Sequence, residues 1–167
     1  MKNIYYIIIL SFILFSCEDD GQVIDPISEQ ANKLNGTWKV KDSNSIIFNG
    51  VNVNYFSTMT LNFSNGSKDG GNFSTIHNEV TGTEVWPFEG SWSFLDITDP
   101  NDTNTLIKDI NRIVRSDMVV MDILVTDSSL RLIFRVTDCL YICTPGTYDG
   151  DWIFNFVKIL NNYEPFK

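Results

Sequence analysis

Beyond its first two dozen residues, the chain alternates apolar and polar positions with a period of two. Thr58-Met59-Thr60-Leu61-Asn62-Phe63-Ser64 sets Met59, Leu61 and Phe63 on one face, and Leu130 to Val136 repeats the pattern with Arg131 and Arg135 facing water. That period marks half-buried antiparallel strands. Further strands are predicted at 37–40, 46–49, 72–77, 90–97, 119–126 and 151–158, about eight in all. Asn65-Gly66 predicts a tight turn that ends the strand before it. Thr98-Asp99-Pro100-Asn101-Asp102-Thr103-Asn104 reads as a loop, and the segment 106–115 is ambiguous: Leu106, Ile107, Ile110, Ile113 and Val114 suit a helix better than a strand, with a strand pair as the alternative. Asp25-Pro26 supplies a cap and a first-turn proline for a two-turn helix with Ile27, Ala31 and Leu34 at i, i+4 and i+7, which Asn35-Gly36 ends. Strands in this number must manage their edges, and closure removes them. The expected fold is an all-β antiparallel meander β-barrel with a short N-terminal helix, a two-sheet β-sandwich being the alternative.

The first residues break this pattern. Met1-Lys2-Asn3 is followed by an apolar run from Ile4 to Phe15 and then by Glu18-Asp19-Asp20, too short a run to span a bilayer, which takes about 20 residues. Residues 1–16 read as a secretory leader. Leu14-Phe15-Ser16-Cys17 resembles the lipobox of bacterial lipoproteins, which implies that Cys17 becomes the first mature residue and carries acyl chains; two or more such chains anchor a protein stably. The acidic triplet after it is similar to the export tag of surface lipoproteins. Residues 17–26 are then lipidated cysteine and tether, and 27–163 the domain.

Charge narrows the partners. Removing the leader takes one of the 12 basic residues, Lys2, and none of the 21 acidic ones, so phosphate binding and nucleic acid are disfavoured. Cys139 and Cys143 remain in the domain. In a straight strand they stand about 13 Å apart, at roughly 3.3 Å per residue, so a disulfide between them requires a loop. A loop-closing disulfide is preferred over free thiols; a metal site falls short, because His77 is the one histidine and lies far away in sequence.

Leu34-Asn35-Gly36-Thr37-Trp38, a helix running into Gly-x-Trp, resembles the opening of lipocalin-like domains. Gly90-Ser91-Trp92-Ser93-Phe94 and Asp151-Trp152-Ile153-Phe154-Asn155-Phe156 look like strands of small lipocalin-like lipoproteins of Bacteroidota-type bacteria, many of unknown function. The resemblance covers most of residues 27–160. It implies that Gly36 and Trp38 stand at the closed end of a barrel, with Lys158 where such proteins usually place an arginine.

Catalytic chemistry is thinly supported. Glu84 and Glu89 flank Val85-Trp86-Pro87-Phe88, which a rim loop explains better than a glycosidase pair does. Asp99, Asn101, Asp102 and Asn104 lack the glycine and closing glutamate of a calcium loop. The aromatic residues are mostly core, with Trp92, Trp152 and Phe154 the candidates for lining a ligand cavity. The leading expectation is a non-enzymatic, cofactor-free envelope lipoprotein that is held to the membrane by Cys17 and binds a small apolar or amphipathic ligand. A protein or glycan interaction module, which an exposed cluster at Trp86-Pro87-Phe88 would favour, is second, and an envelope hydrolase third.

Overall fold

A computed structural model describes residues 25–79, 83, 85–137 and 148–160. Among these residues one helix, α1 (Pro26–Leu34), precedes ten strands: β1 (Gly36–Val40), β2 (Ile46–Phe48), β3 (Val51–Asn52), β4 (Thr60–Ser67), β5 (Gly70–Ile76), β6 (Glu89–Asp99), β7 (Asp102–Arg115), β8 (Val120–Val125), β9 (Ser129–Val136) and β10 (Gly150–Lys158). β1 and β4 to β10 form an antiparallel barrel in that order, closed by pairing of β1 with β10. This is the eight-stranded barrel with a short helix that the sequence predicts.

β1 and β2 lie end to end along β10, since Val40 pairs with Phe156 and Ile46 with Phe154. The five residues between them loop outward and are tied down by Asn155, whose N–H and side-chain amide both donate to Ser45 O. β2 and β3 make a hairpin on the barrel's flank.

α1 closes the end where β1 starts. Asp25 caps it, accepting from Ile27 N–H at 3.2 Å and Ser28 Oγ at 2.9 Å, and Ala31 and Leu34 are buried beneath it. Trp38 is fully buried there; its Nε1 donates to Leu34 O at 2.8 Å. Lys158 lies over its ring, Nζ 4.9 Å from the centroid, and donates to Lys33 O. Gly36 has φ +130°, and a Cβ built on it would meet Lys158 Cε at 2.7 Å, so both the backbone and the lysine call for glycine.

Three expectations are corrected. Residues 106–115 belong to a strand, β7, not a helix: Ile110 to Arg112 bulge out between the Leu95–Asp109 and Phe94–Ile113 pairs, and this break in alternation imitates a helical spacing. Asn65-Gly66 makes no hairpin turn. Asn65, at φ 55°, sits in a bulge of β4, Gly66 N–H donates to Asn35 Oδ1 at 2.8 Å, and the turn falls at Lys68-Asp69. The loop expected over 98–104 shrinks to Pro100-Asn101, because its Asp side chains accept from backbone N–H groups two residues ahead, Asp99 from Asn101 and Asp102 from Asn104.

Candidate functional site

The end opposite α1 carries the β3–β4, β5–β6 and β9–β10 connections, and adjacent aromatic residues there part company. Tyr55 is 43% exposed while Phe56 is buried; Phe88 is 54% exposed while Trp86 is fully buried. The β3–β4 and β5–β6 connections thus each keep one ring on the rim and push another into the lumen.

Phe56 enters in a left-handed conformation, φ 59°, rare for a bulky side chain. Its ring meets His77, Phe154 and Trp152 edge-on at 5.2, 5.6 and 5.9 Å. Trp86 meets Phe134 and Phe154 edge-on at 5.5 and 5.7 Å. The segment bearing it is fastened to β5, Thr75 donating from its N–H to Phe88 O at 2.7 Å and from Oγ1 to Pro87 O at 2.9 Å.

Arg115 is buried beside these rings. Its Cζ lies 4.9 Å from the Trp86 centroid and 5.6 Å from that of Phe134. Nη1 donates to Val85 O at 2.7 Å, and Nε and Nη2 grip Asp117 at 3.0 and 2.5 Å. The charge is thereby paired inside an apolar surround, as burial demands. His77 stacks on Phe88 at 4.9 Å and its Nε2 lies 2.9 Å from Trp86 O, so that nitrogen carries the hydrogen. His77 Nδ1, Trp86 Nε1 and Trp92 Nε1 are buried and have no partner among the described residues.

Of the ring candidates for a cavity lining, Trp152 and Phe154 are fully buried and stack on each other at 5.8 Å, with Phe48 stacked on Trp152 at 4.4 Å. Trp92 is buried against Phe63 and Phe94 at 5.8 and 5.3 Å, apart from that stack. Gly36 and Trp38 stand at the other end. Cys17, Cys139, Cys143 and Glu84 lie outside the described residues. Glu89 is exposed at the start of β6, and among the described residues no three His, Cys, Asp or Glu gather to hold a metal ion. Sequence reasoning passed over Phe56 and Arg115. Arg115 was findable, because a strand phase set by Ile113 turns it inward, whereas Phe56 is carried by a loop with no period.

Compared with protein families, curated proteins and solved structures, the chain gives no significant match.

Proposed function

We propose that this chain is a lipid-anchored, non-enzymatic lipoprotein of the bacterial cell envelope that binds a protein or glycan partner at the loop-bearing mouth of its barrel. The observation that carries this reading is the parting of neighbouring rings: Phe56 and Trp86 fill the lumen, while Tyr55 and Phe88 stay on the rim. Exposed aromatics on a rigid frame are the usual anchors of an interface. The anchor supports the same view. α1 enters at the closed end, and a tether of about eight residues reaches at most about 30 Å, so that end is drawn to the membrane and the mouth faces away.

The second reading, a small apolar or amphipathic ligand inside the lumen, keeps one observation of its own. Three buried polar atoms lack partners among the described residues, each a cost of about 1–3 kcal/mol that a ligand oxygen or hydroxyl relieves. It requires Phe56 or Trp86 to swing out.

Calorimetric titration of the full-length chain in non-ionic detergent with envelope polysaccharide fractions and, separately, with palmitate distinguishes the two. Polysaccharide binding lost in the double variant Tyr55→Ser/Phe88→Ser supports the mouth. Palmitate binding that survives in that variant overturns it in favour of the lumen, and Cys17→Ser protein that still sediments with membranes removes the anchor from the account.

A further inference from the structure

Independently of the mouth, β6 outruns its neighbour. β5 pairs with it from Glu89 to Trp92, after which Ser93 to Asp99 has only β7 beside it among the described residues. Gly70 marks the divergence. It has φ +111°, and a Cβ built on it would lie 2.1 Å from Trp92 O and 2.9 Å from Ser93 Cα, so the β4–β5 turn presses on the β6 backbone and parts from it. Around this point an open groove of about 600 Å³ crosses the outer face of β6 between the β4–β5 turn and β7. Ser93, Leu95, Val114 and Met118 line it, with Asp69 and Asp96 alongside, and Met118 is 79% exposed.

A free strand edge is a row of unmet backbone donors and acceptors, and folded proteins normally guard it with charges, proline or bulges. The hairpin tip has such guards in Asp99, Pro100 and Asp102. The stretch Ser93-Phe94-Leu95-Asp96-Ile97 has a single charge, Asp96, held by Lys108 at 2.8 Å. Ser93 to Leu95, beside the groove, carries no charge or proline, and the bulge opposite Phe94 and Leu95 belongs to β7.

We infer that this edge accepts an extended segment of a partner polypeptide as an added strand, with an apolar residue set against Leu95 and a lysine or arginine residue set against Asp69. Backbone pairing supplies affinity in such augmentation and the groove supplies selection. Charge selects the occupant. The chain carries a net charge of −9, and the groove's own basic side chain, Arg115, is turned inward onto Asp117. A second copy would bring Asp69 and the chain's overall negative charge against their own likeness, so a basic strand from a different chain is the better complement.

The test uses the full-length chain in non-ionic detergent and two fluorescent heptapeptides, one alternating lysine with valine and the other glutamate with valine, read by anisotropy. The expected result is saturable binding of the lysine peptide, at least about tenfold tighter than the glutamate peptide. Asp69→Lys should narrow or invert that preference, and Leu95→Lys should abolish lysine-peptide binding while the near-ultraviolet circular dichroism is retained. Equal binding of both peptides, or binding indifferent to Asp69→Lys and Leu95→Lys, overturns the inference. So does a concentration-dependent dimer in sedimentation that Leu95→Lys dissolves, since it hands the edge to a second copy.

Discussion

Arg115 shows how one residue ties the loops to the barrel. Its guanidinium bonds to Val85 O and Asp117 and lies over Trp86, so it fixes both the lumen-filling ring and the β7–β8 turn. Arg115→Ala should lower stability by about 2–4 kcal/mol in urea denaturation, the loss of a charged hydrogen bond to a buried carbonyl together with a cation–π contact. An unchanged midpoint would mean that Trp86 is held by packing alone. At the other end, Gly36→Ala should cost about 1–3 kcal/mol, because the added methyl meets Lys158 and the left-handed backbone is strained for alanine; the same denaturation series measures it. Gly36 and Trp38 were legible because a motif at the head of a strand has a fixed structural meaning. The inward Arg115 was hidden by the helical reading of its segment.

At the scale of elements, strands with intact alternation were read well and those with bulges were not. β9 and β10 keep strict phase through their buried positions, and β4 does so as far as Ser64, whereas β7 loses it at Ile110 to Arg112 and the end of β4 carries Asn65-Gly66 as a bulge docked on the end of α1. A tight-turn dipeptide supplies a left-handed residue, and only the surroundings decide whether a turn or a bulge uses it. α1 was legible from its cap and spacing. The Ser28 hydroxyl, followed by the Ile27 N–H, holds the Asp25 carboxyl below the usual carboxylate range. A depressed folded pKa gives stability that is present above the unfolded value, near pH 4, and lost as pH falls through the folded one. Asp25→Ala should therefore reduce the urea midpoint by more at pH 7 than at pH 2. A deficit of equal size at both values would contradict capping by the ionised form.

For the whole molecule, the barrel was legible and the filling of its lumen was not. Strand number and alternation predict closure, but a barrel of eight strands leaves either a packed interior or room for one small ligand. Here the choice falls to the loop rings Phe56 and Trp86, which follow no period that a sequence could betray. The central claim is that binding occurs on the rim and leaves this interior undisturbed. The chain's four tryptophans divide usefully: Trp38 and Trp152 indoles donate to Leu34 O and Tyr148 O, while those of Trp86 and Trp92 are buried without partners among the described residues. Indole and aromatic-ring nuclear magnetic resonance spectra, recorded while the protein is titrated with envelope polysaccharide and then with palmitate, report on both places at once. The account predicts that polysaccharide shifts the Tyr55 and Phe88 ring signals and leaves the Trp86 and Trp92 indole signals in place. Saturable displacement of those two indole signals by palmitate, with the rim signals still, would contradict it.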